Sequence, residues 1–530
     1  MVVIRGSPDY VKKLMGKEAF DNIELFSRIM GFEAEITNEV KIEFNPDRPD
    51  LFSFVTLRNA IREYYFTEGR RDYKSEGIGM GVSNENLDSK RPVILTYVAK
   101  GGKIGEYLED LIDFHESISD NVGRSRVKAA IGLHNMDMVK PPLIYGKVGE
   151  YTSFCPYDQA SEQPLARILR EHDKGIQYSH LSIEGERVFA LMDEDGIISI
   201  PPTLNGRRTK IDEETSNFFI DITASDLHTA RKLKLLSVYY FNSLDYSIFD
   251  DSETLNSGIL RNGFESYKIK DWKKISKYVG NDLEPGEIRN YLRKMGYEGD
   301  GDNIHIPFYR IDVMGFVDIV EDVCKARGYD NILEKEISID SFGKPDIKKS
   351  KAELLSEIMI GLGFQQVMSF FITSPRNNNG NEINNAFGIM NPKSQDFSTI
   401  RSAIFPELLE FFQRNVRRPY PQKIFEIGRV IQSGRESDHI SFAIIDSKNG
   451  YSIIKGYLEK FLVATIGKDN TIISDNENNS FINGRGGQIL IKGNNIGSIG
   501  EIHPEVLFRY SLSNPVTVVE INLDGLYSIL

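Results

Sequence analysis

The chain has 530 residues, 40% of them hydrophobic and 27% charged, with 44 glycines and 20 prolines, a composition that excludes collagen-like and disordered classes and allows several globular domains. Its formal net charge of −13 excludes a global attraction to nucleic acid or anionic lipid, so any polyanion must meet a local basic patch. The two cysteines, Cys155 and Cys324, exclude a Cys-based zinc site and argue against a disulfide framework, which suits a cytoplasmic setting.

From the N-terminus, the short apolar run before Arg5 is no signal peptide, and nowhere do about 18 apolar residues follow one another to span a membrane. Residues 1–85 mix helical signals with an extended stretch, 42–51, where Pro46 and Pro49 push their neighbours out of the helical region. Asp50 is expected to cap a helix carrying Leu51, Phe54, Val55 and Ala60 or Ile61 on one face. The Gly77, Gly79, Gly81 cluster lacks the spacing of a dinucleotide site and reads as a linker. Residues 86–261 alternate β-rich runs at 92–98, 129–133, 187–191, 197–200 and 217–223 with a helical stretch at 104–122, and end in a long helix that Asp226 can cap. Residues 262–340 form a smaller unit with Trp272, a helix near Pro285 and another after Asp312. Residues 346–530 open with a helix and continue as strands of an antiparallel sheet. The predicted fold class is α+β, multidomain.

Three groups of residues can carry chemistry. Asp312, Asp318, Glu321 and Asp322 place three carboxylates at i, i+3 and i+4 of one helix; a hard cation such as Mg²⁺, basic residues of a partner, or plain solvation of an acidic face would each relieve their repulsion. His134, the turn 201–206 with Asn205, and the run Asp221-x-Thr223-x2-Asp226 offer groups that orient water and bind an oxyanion, although a lone His in a β-rich segment is more often structural. The stretch from Arg414 to Lys423 is locally basic and can meet phosphates, or be a solvated helix end and turn. Phosphate-loop, HExxH and GxSxG motifs are missing.

The order of several phrases resembles the beta subunit of phenylalanyl-tRNA synthetase in its shorter, archaeal and eukaryotic form. They are Asn45-Pro46-Asp47-Arg48-Pro49-Asp50-Leu51, Ala130-Ile131-Gly132-Leu133-His134-Asn135-Met136-Asp137, Ile200-Pro201-Pro202-Thr203-Leu204-Asn205-Gly206, Ile319-Val320-Glu321-Asp322 leading to Gly328-Tyr329-Asp330, Met390-Asn391-Pro392-Lys393 and Gly500-Glu501-Ile502-His503-Pro504. The resemblance implies four parts: an N-terminal helical and strand module at 1–85, a tRNA-editing domain at 86–261, a middle domain at 262–340, and a catalytic-like but inactive class II synthetase domain at 346–530. In the middle domain, Asp312, Asp318, Glu321 and Asp322 would bind Mg²⁺ shared with the alpha subunit. The editing pocket would hold His134, Asp137, Asn205, Thr223 and Asp226, hydrolysing tRNA wrongly charged with tyrosine. The strand Phe425-Glu426-Ile427-Gly428-Arg429-Val430 is similar to one carrying an ATP-contacting Arg in active relatives, whereas the glycine-rich motif that ends in an ATP-binding Arg is not recognisable. No catalytic residue for aminoacylation is therefore expected in this chain. ATP would be a substrate of the complex, an alpha2/beta2 tetramer acting on tRNA(Phe). A free-standing deacylase and a non-catalytic RNA-binding scaffold remain the alternatives.

Overall fold

The structure, a computed structural model, describes residues 2–66, 80–250, 264–269, 271–300, 302–334, 336–337, 341–379, 387–432, 434–467, 471–475 and 479–529. Gly77 and Gly79 of the expected linker, and the expected boundary at 261–262, lie outside the described residues. The chain divides into two compact units, Met1–Glu336 and Ile337–Leu530.

The first unit opens with an antiparallel sheet in which Val40–Phe44 lies between Val2–Gly6 and Glu33–Ile36. Its central strand alternates strictly: Val40, Ile42 and Phe44 are buried, and Lys41 and Glu43 are not. The proline stretch leads through a short turn, Pro49–Leu51, into the helix Phe54–Phe66. Asp50 does not cap that helix. It is buried in an ion pair with Arg48, at 2.7 and 2.8 Å, and the helix N-terminus is instead satisfied by Asp110, which accepts from the N–H groups of Phe54 (2.8 Å) and Val55 (3.4 Å). Ser53, just before the helix, supplies the local cap, its hydroxyl oxygen accepting from the Thr56 N–H at 3.0 Å, and Asp110 adds a cap from a distant part of the chain.

Two sheets follow. One runs Ser247–Phe249, Val93–Lys100, Asn217–Ala224, Ala129–Asn135, all antiparallel. The other runs Leu204–Asn205, Gly196–Ile200, Arg187–Asp193, Leu143–Gly149, Val82–Asn84. Along Asn217–Ala224 the side chains divide by alternation. Phe218, Ile220, Ile222 and Ala224 join the core that includes Phe114, Leu233 and Leu236 of the helices Leu108–Asn121 and Leu227–Asn242. Phe219 packs instead with Val98, Tyr145, Phe189 and Leu191, facing the second sheet. Asp221 and Thr223 share that second side.

A three-stranded sheet, Phe264–Lys268, Asn303–Pro307, Glu298–Asp300, and the helices Trp272–Val279, Pro285–Lys294 and Phe316–Arg327 complete the unit. One hydrophobic cluster runs from Ile4 to Ala326 and draws on all three segments expected from the sequence.

The second unit is built on a seven-stranded sheet in the order Gln365–Gln366, Gln422–Gln432, Arg435–Ile445, Val516–Asn522, Asn494–Ile502, Phe481–Ile491, Thr471–Asp475. Every pairing is antiparallel except the first. Ile440, Phe442 and Ile444 pack with residues of the helices Ile347–Gly361 and Tyr451–Ile466, and Ala443 and Ile445 pack with Leu408, Leu409 and Phe412 of Phe405–Arg414. Helices on both faces of a largely antiparallel sheet give a mixed α+β architecture, as the strand and helix patterning predicts. Among the described residues no helix is long and apolar enough to cross a membrane.

Candidate functional site

A cavity of about 410 Å³ lies in the first unit, lined by residues of the helix Leu108–Asn121, the strands Ala129–Asn135 and Asn217–Ala224, and the segment 199–205. Its polar wall follows from strand register. Asp221 pairs with Gly132, and Phe219 with His134, so His134 reaches diagonally across Gly132 to Asp221 on the same side of the sheet. His134 Nε2 stands 3.0 Å from Asp221 Oδ2, and its Nδ1 stands 2.8 Å from Thr209 Oγ1. With a carboxylate as acceptor Nε2 donates, and Nδ1 faces the Thr209 hydroxyl. Both nitrogens of the fully buried ring are thereby used. His134 does not line the cavity; Asp221, which it holds, does.

Thr223 lines the same wall. Arg91 donates from Nε to Thr223 Oγ1 (2.9 Å) and from Nη2 to Thr223 O (2.6 Å). A hydroxyl that accepts from a guanidinium keeps its own proton for another acceptor. Burial depresses the Arg91 guanidinium to about 10, which leaves it charged at neutral pH. Asn205 also lines the cavity and donates to the carbonyl of Leu133 at 3.1 Å.

Two of the expected pocket residues lie elsewhere. After Asn135 the chain leaves the strand for a short turn, Met136–Met138, so Asp137 escapes the strand alternation and its carboxylate accepts from Asn217 Nδ2 at 3.0 Å on the exposed side. Asp226 caps the helix Leu227–Asn242, accepting from the N–H (2.8 Å) and hydroxyl (2.9 Å) of Thr229. Burial pushes its carboxyl up, but the Thr229 hydrogen bonds outweigh that and hold it below the usual range. The structure therefore brings Asn205 and Thr223 to the cavity, sets His134 behind its wall, and leaves Asp137 and Asp226 outside. Asp221, named from the residues in the run Asp221-x-Thr223-x2-Asp226 but absent from the pocket that the resemblance implies, lines the cavity beside Thr223. Arg91 is 132 positions from Thr223, and no local signal could have joined them.

The four expected metal ligands do not gather. Asp318 is spent on the N-terminus of Phe316–Arg327, accepting at 2.8 Å from the N–H groups of Met314 and Gly315. Glu321 is exposed and pairs with Lys325 at 3.2 Å. Asp322 is buried, accepting from Arg310 Nη2 (2.6 Å) and the Tyr297 hydroxyl (2.5 Å). Asp312 receives Arg310 Nε and Nη2 at 2.8–3.2 Å; burial opposes its ionisation, but the Arg310 charge prevails and holds its carboxyl below the usual range. Helical spacing put three carboxylates near one another in angle, whereas burial separated them: one faces inward, one outward, one back to the backbone. Among the described residues no group of three or more His, Cys, Asp or Glu side chains could hold a metal ion, and these four, as arranged here, do not fit one.

In the second unit Glu426 is buried against Arg401, with Oε1 2.6 Å from Nη1. Arg429 on the same strand turns outward to Glu436 at 3.0 Å and Asp438 at 3.6 Å. The basic stretch 414–423 is a helix end and an exposed turn leading to the strand Gln422–Gln432, with Arg414 paired to Glu410.

A family model described as the phenylalanyl tRNA synthetase beta chain CLM domain matches residues 338–523, and one described as the tRNA synthetase B5 domain matches residues 270–329. The chain is 36% identical over 538 residues to the phenylalanine–tRNA ligase beta subunit of Thermoplasma volcanium, covering 99% of each chain. It is 32% identical to that of Methanocaldococcus jannaschii, covering 93% of each. The crystal structure of an N-terminal fragment of the phenylalanyl-tRNA synthetase beta subunit from Pyrococcus horikoshii is similar with a TM-score of 0.53 and 25% identity, covering 62% of this chain and all of the fragment.

Proposed function

The chain belongs to the phenylalanine–tRNA ligase beta-subunit family, a component of an aminoacyl-tRNA ligase, and on that premise we propose that its cavity hydrolyses wrongly charged Tyr-tRNA(Phe) while an alpha-subunit partner charges tRNA(Phe) with phenylalanine using ATP. The observation that carries this reading is Asp221, a buried carboxylate on the wall of a roomy cavity, held by His134. A site that selects phenylalanine discriminates weakly against one added hydroxyl, and a second, hydrolytic site relieves that limit.

In this mechanism the ester of the mischarged 3′ end enters the cavity, and Asp221 orients a water and takes its proton as the oxygen attacks the ester carbonyl. The Thr223 hydroxyl, its oxygen already accepting from Arg91, donates to the developing oxyanion; as the adduct collapses, the bond from the acyl carbon to the ribose oxygen breaks and the proton taken by Asp221 passes to that oxygen, releasing tyrosine and an uncharged 3′ end. Asn205, tied to the carbonyl of Leu133, lines the same cavity. No step passes through a metal, because the four carboxylates of the middle segment are each engaged by a protein group. Aminoacyl-tRNA ligases as a class use Mg²⁺ with ATP, and that use falls to the partner's active site in an alpha2/beta2 assembly in the cytoplasm.

The test is hydrolysis of labelled Tyr-tRNA(Phe) by the co-purified complex and by this chain alone. Asp221→Asn is expected to slow hydrolysis by about 100-fold without altering phenylalanine charging. Full hydrolysis by the chain without a partner, together with no stable complex, would favour a free-standing deacylase. Background hydrolysis by the wild-type complex would favour a non-catalytic scaffold.

A further inference from the structure

The helix Leu108–Asn121 ends in an unusual reversal. Arg124, Ser125 and Arg126 all have positive φ, at 51°, 51° and 65°, a left-handed conformation that non-glycine residues adopt singly and rarely in succession. The backbone still satisfies its donors: Ser125 N–H reaches Asp120 O at 2.7 Å, and Arg126 N–H reaches Ser119 O at 3.1 Å. Strain of this kind persists where the surrounding structure imposes it, and it collects at functional sites. Here the reversal delivers Arg126 to the lining of the cavity.

The Arg126 guanidinium is anchored on one side only. Nη1 donates to the carbonyls of Pro202 (3.1 Å) and Thr203 (3.3 Å), and the group lies 4.5 Å from the Tyr178 ring centre. Nε is buried and has no hydrogen-bond partner. Nη2 meets Glu116 at a loose 3.5 Å. Nε and Nη2 form the side-on edge of the guanidinium, the fork that matches two oxygens of a phosphate. Arg48 shows that edge filled, gripping Asp50 through Nε and Nη2. Glu116 Oε1 is shared between Arg126 and Lys174, which it meets at 3.1 Å. Its side chain is about half exposed, so this anion can swing away.

Resting on the hydrolytic reading of the cavity, we propose that Arg126 is its phosphate receptor, taking a phosphodiester of the single-stranded RNA 3′ end on its Nε/Nη2 edge, with Glu116 as the resident counter-ion that the phosphate displaces. A chain of net charge −13 has no global attraction for RNA and needs such a local contact. The carbonyls of Pro202 and Thr203 and the Tyr178 ring hold the guanidinium in place, so little side-chain freedom is lost when RNA binds.

The experiment is fluorescence anisotropy of the co-purified complex with a 5′-labelled 12-nucleotide RNA ending in CCA, across a potassium chloride series, alongside the KM for Tyr-tRNA(Phe) hydrolysis. Arg126→Gln is expected to weaken binding about tenfold and to make the salt dependence shallower by about 0.7, the loss of one single-strand phosphate contact. Arg126→Lys, which keeps the charge and loses the fork, should fall between. Glu116→Gln should tighten binding about threefold, and because Glu116 is half exposed this arm remains readable if the Arg126 variants fold poorly. Unchanged affinity and salt slope in Arg126→Gln, or no tightening in Glu116→Gln, overturns the proposal. Wild-type RNA binding that follows this pattern without hydrolysis would instead sink the hydrolytic reading and leave the phosphate receptor standing.

Discussion

At Gly132 an added Cβ would stand 2.1 Å from Asp221 Oδ2 and 3.2 Å from His134 Nε2. The glycine is needed for space: the carboxylate of the neighbouring strand lies across it, and only a hydrogen atom fits beneath. Gly132→Ala is expected to displace Asp221 and cut Tyr-tRNA(Phe) hydrolysis at least tenfold, while overpacking costs about 1–3 kcal/mol of stability. Hydrolysis at the wild-type rate would show that Asp221 need not hold its position. Asp110 invites a different measurement. Burial raises its carboxyl from 3.8 to about 6, against the hydrogen bonds from Phe54, Tyr240 and Val55. Between those values the folded protein keeps a proton that the unfolded chain has released. The stability contributed by this group therefore falls as pH rises through that window, by about 2–3 kcal/mol in all. Urea unfolding at pH 4.5 and pH 7 should show that loss in the wild type and a smaller one in Asp110→Asn; equal losses would assign the dependence to other groups.

Among the elements, the strand Asn217–Ala224 places the site's carboxylate and hydroxyl, and the helix Leu227–Asn242 after it packs against the strand's other side. The strand is buried on both sides, and its alternation sends apolar residues to the helices and Phe219, Asp221 and Thr223 to the cavity side. Asp226 then ends the strand's influence by capping the helix. Asp226→Ala is expected to cost about 1 kcal/mol, and Asp226→Asn only a few tenths, because Asn caps nearly as well. Chemical denaturation reads both. Neither variant should change hydrolysis, and a large loss in Asp226→Asn would return this residue to the pocket. The helix Phe316–Arg327 teaches a related lesson. Its i, i+3, i+4 carboxylates were legible as a helical face, but the backbone of Met314 and Gly315 takes Asp318, Lys325 of the same helix takes Glu321, and Arg310 and Tyr297 from outside the helix take Asp322.

For the whole molecule, the division into Met1–Glu336 and Ile337–Leu530 has an energetic basis. The largest hydrophobic cluster and the two that flank the second sheet lie within the first unit, and the two clusters of the seven-stranded sheet lie within the second. A fragment of residues 1–336 should therefore unfold cooperatively in urea by itself and carry the hydrolysis of Tyr-tRNA(Phe) proposed for the cavity. A non-cooperative transition would mean that its core depends on the remainder of the chain. The similarity to an N-terminal fragment whose crystal structure is matched along its entire length supports the same expectation.

The sequence by itself determined the α+β class, the family and the β-rich runs at 92–98, 129–133, 187–191, 197–200 and 217–223, which are strands in the structure, because period and composition are local properties. It also pointed to His134, Asn205 and Thr223 through short runs of neighbouring residues. Tertiary structure decided which polar groups meet. Arg91 with Thr223, Asp110 with the helix of Phe54, Arg310 with Asp312 and Asp322, and Arg126 with the carbonyls of Pro202 and Thr203 join distant or differently directed parts of the chain. A buried charge must find its partner wherever packing places one, and spacing along the chain does not encode that choice.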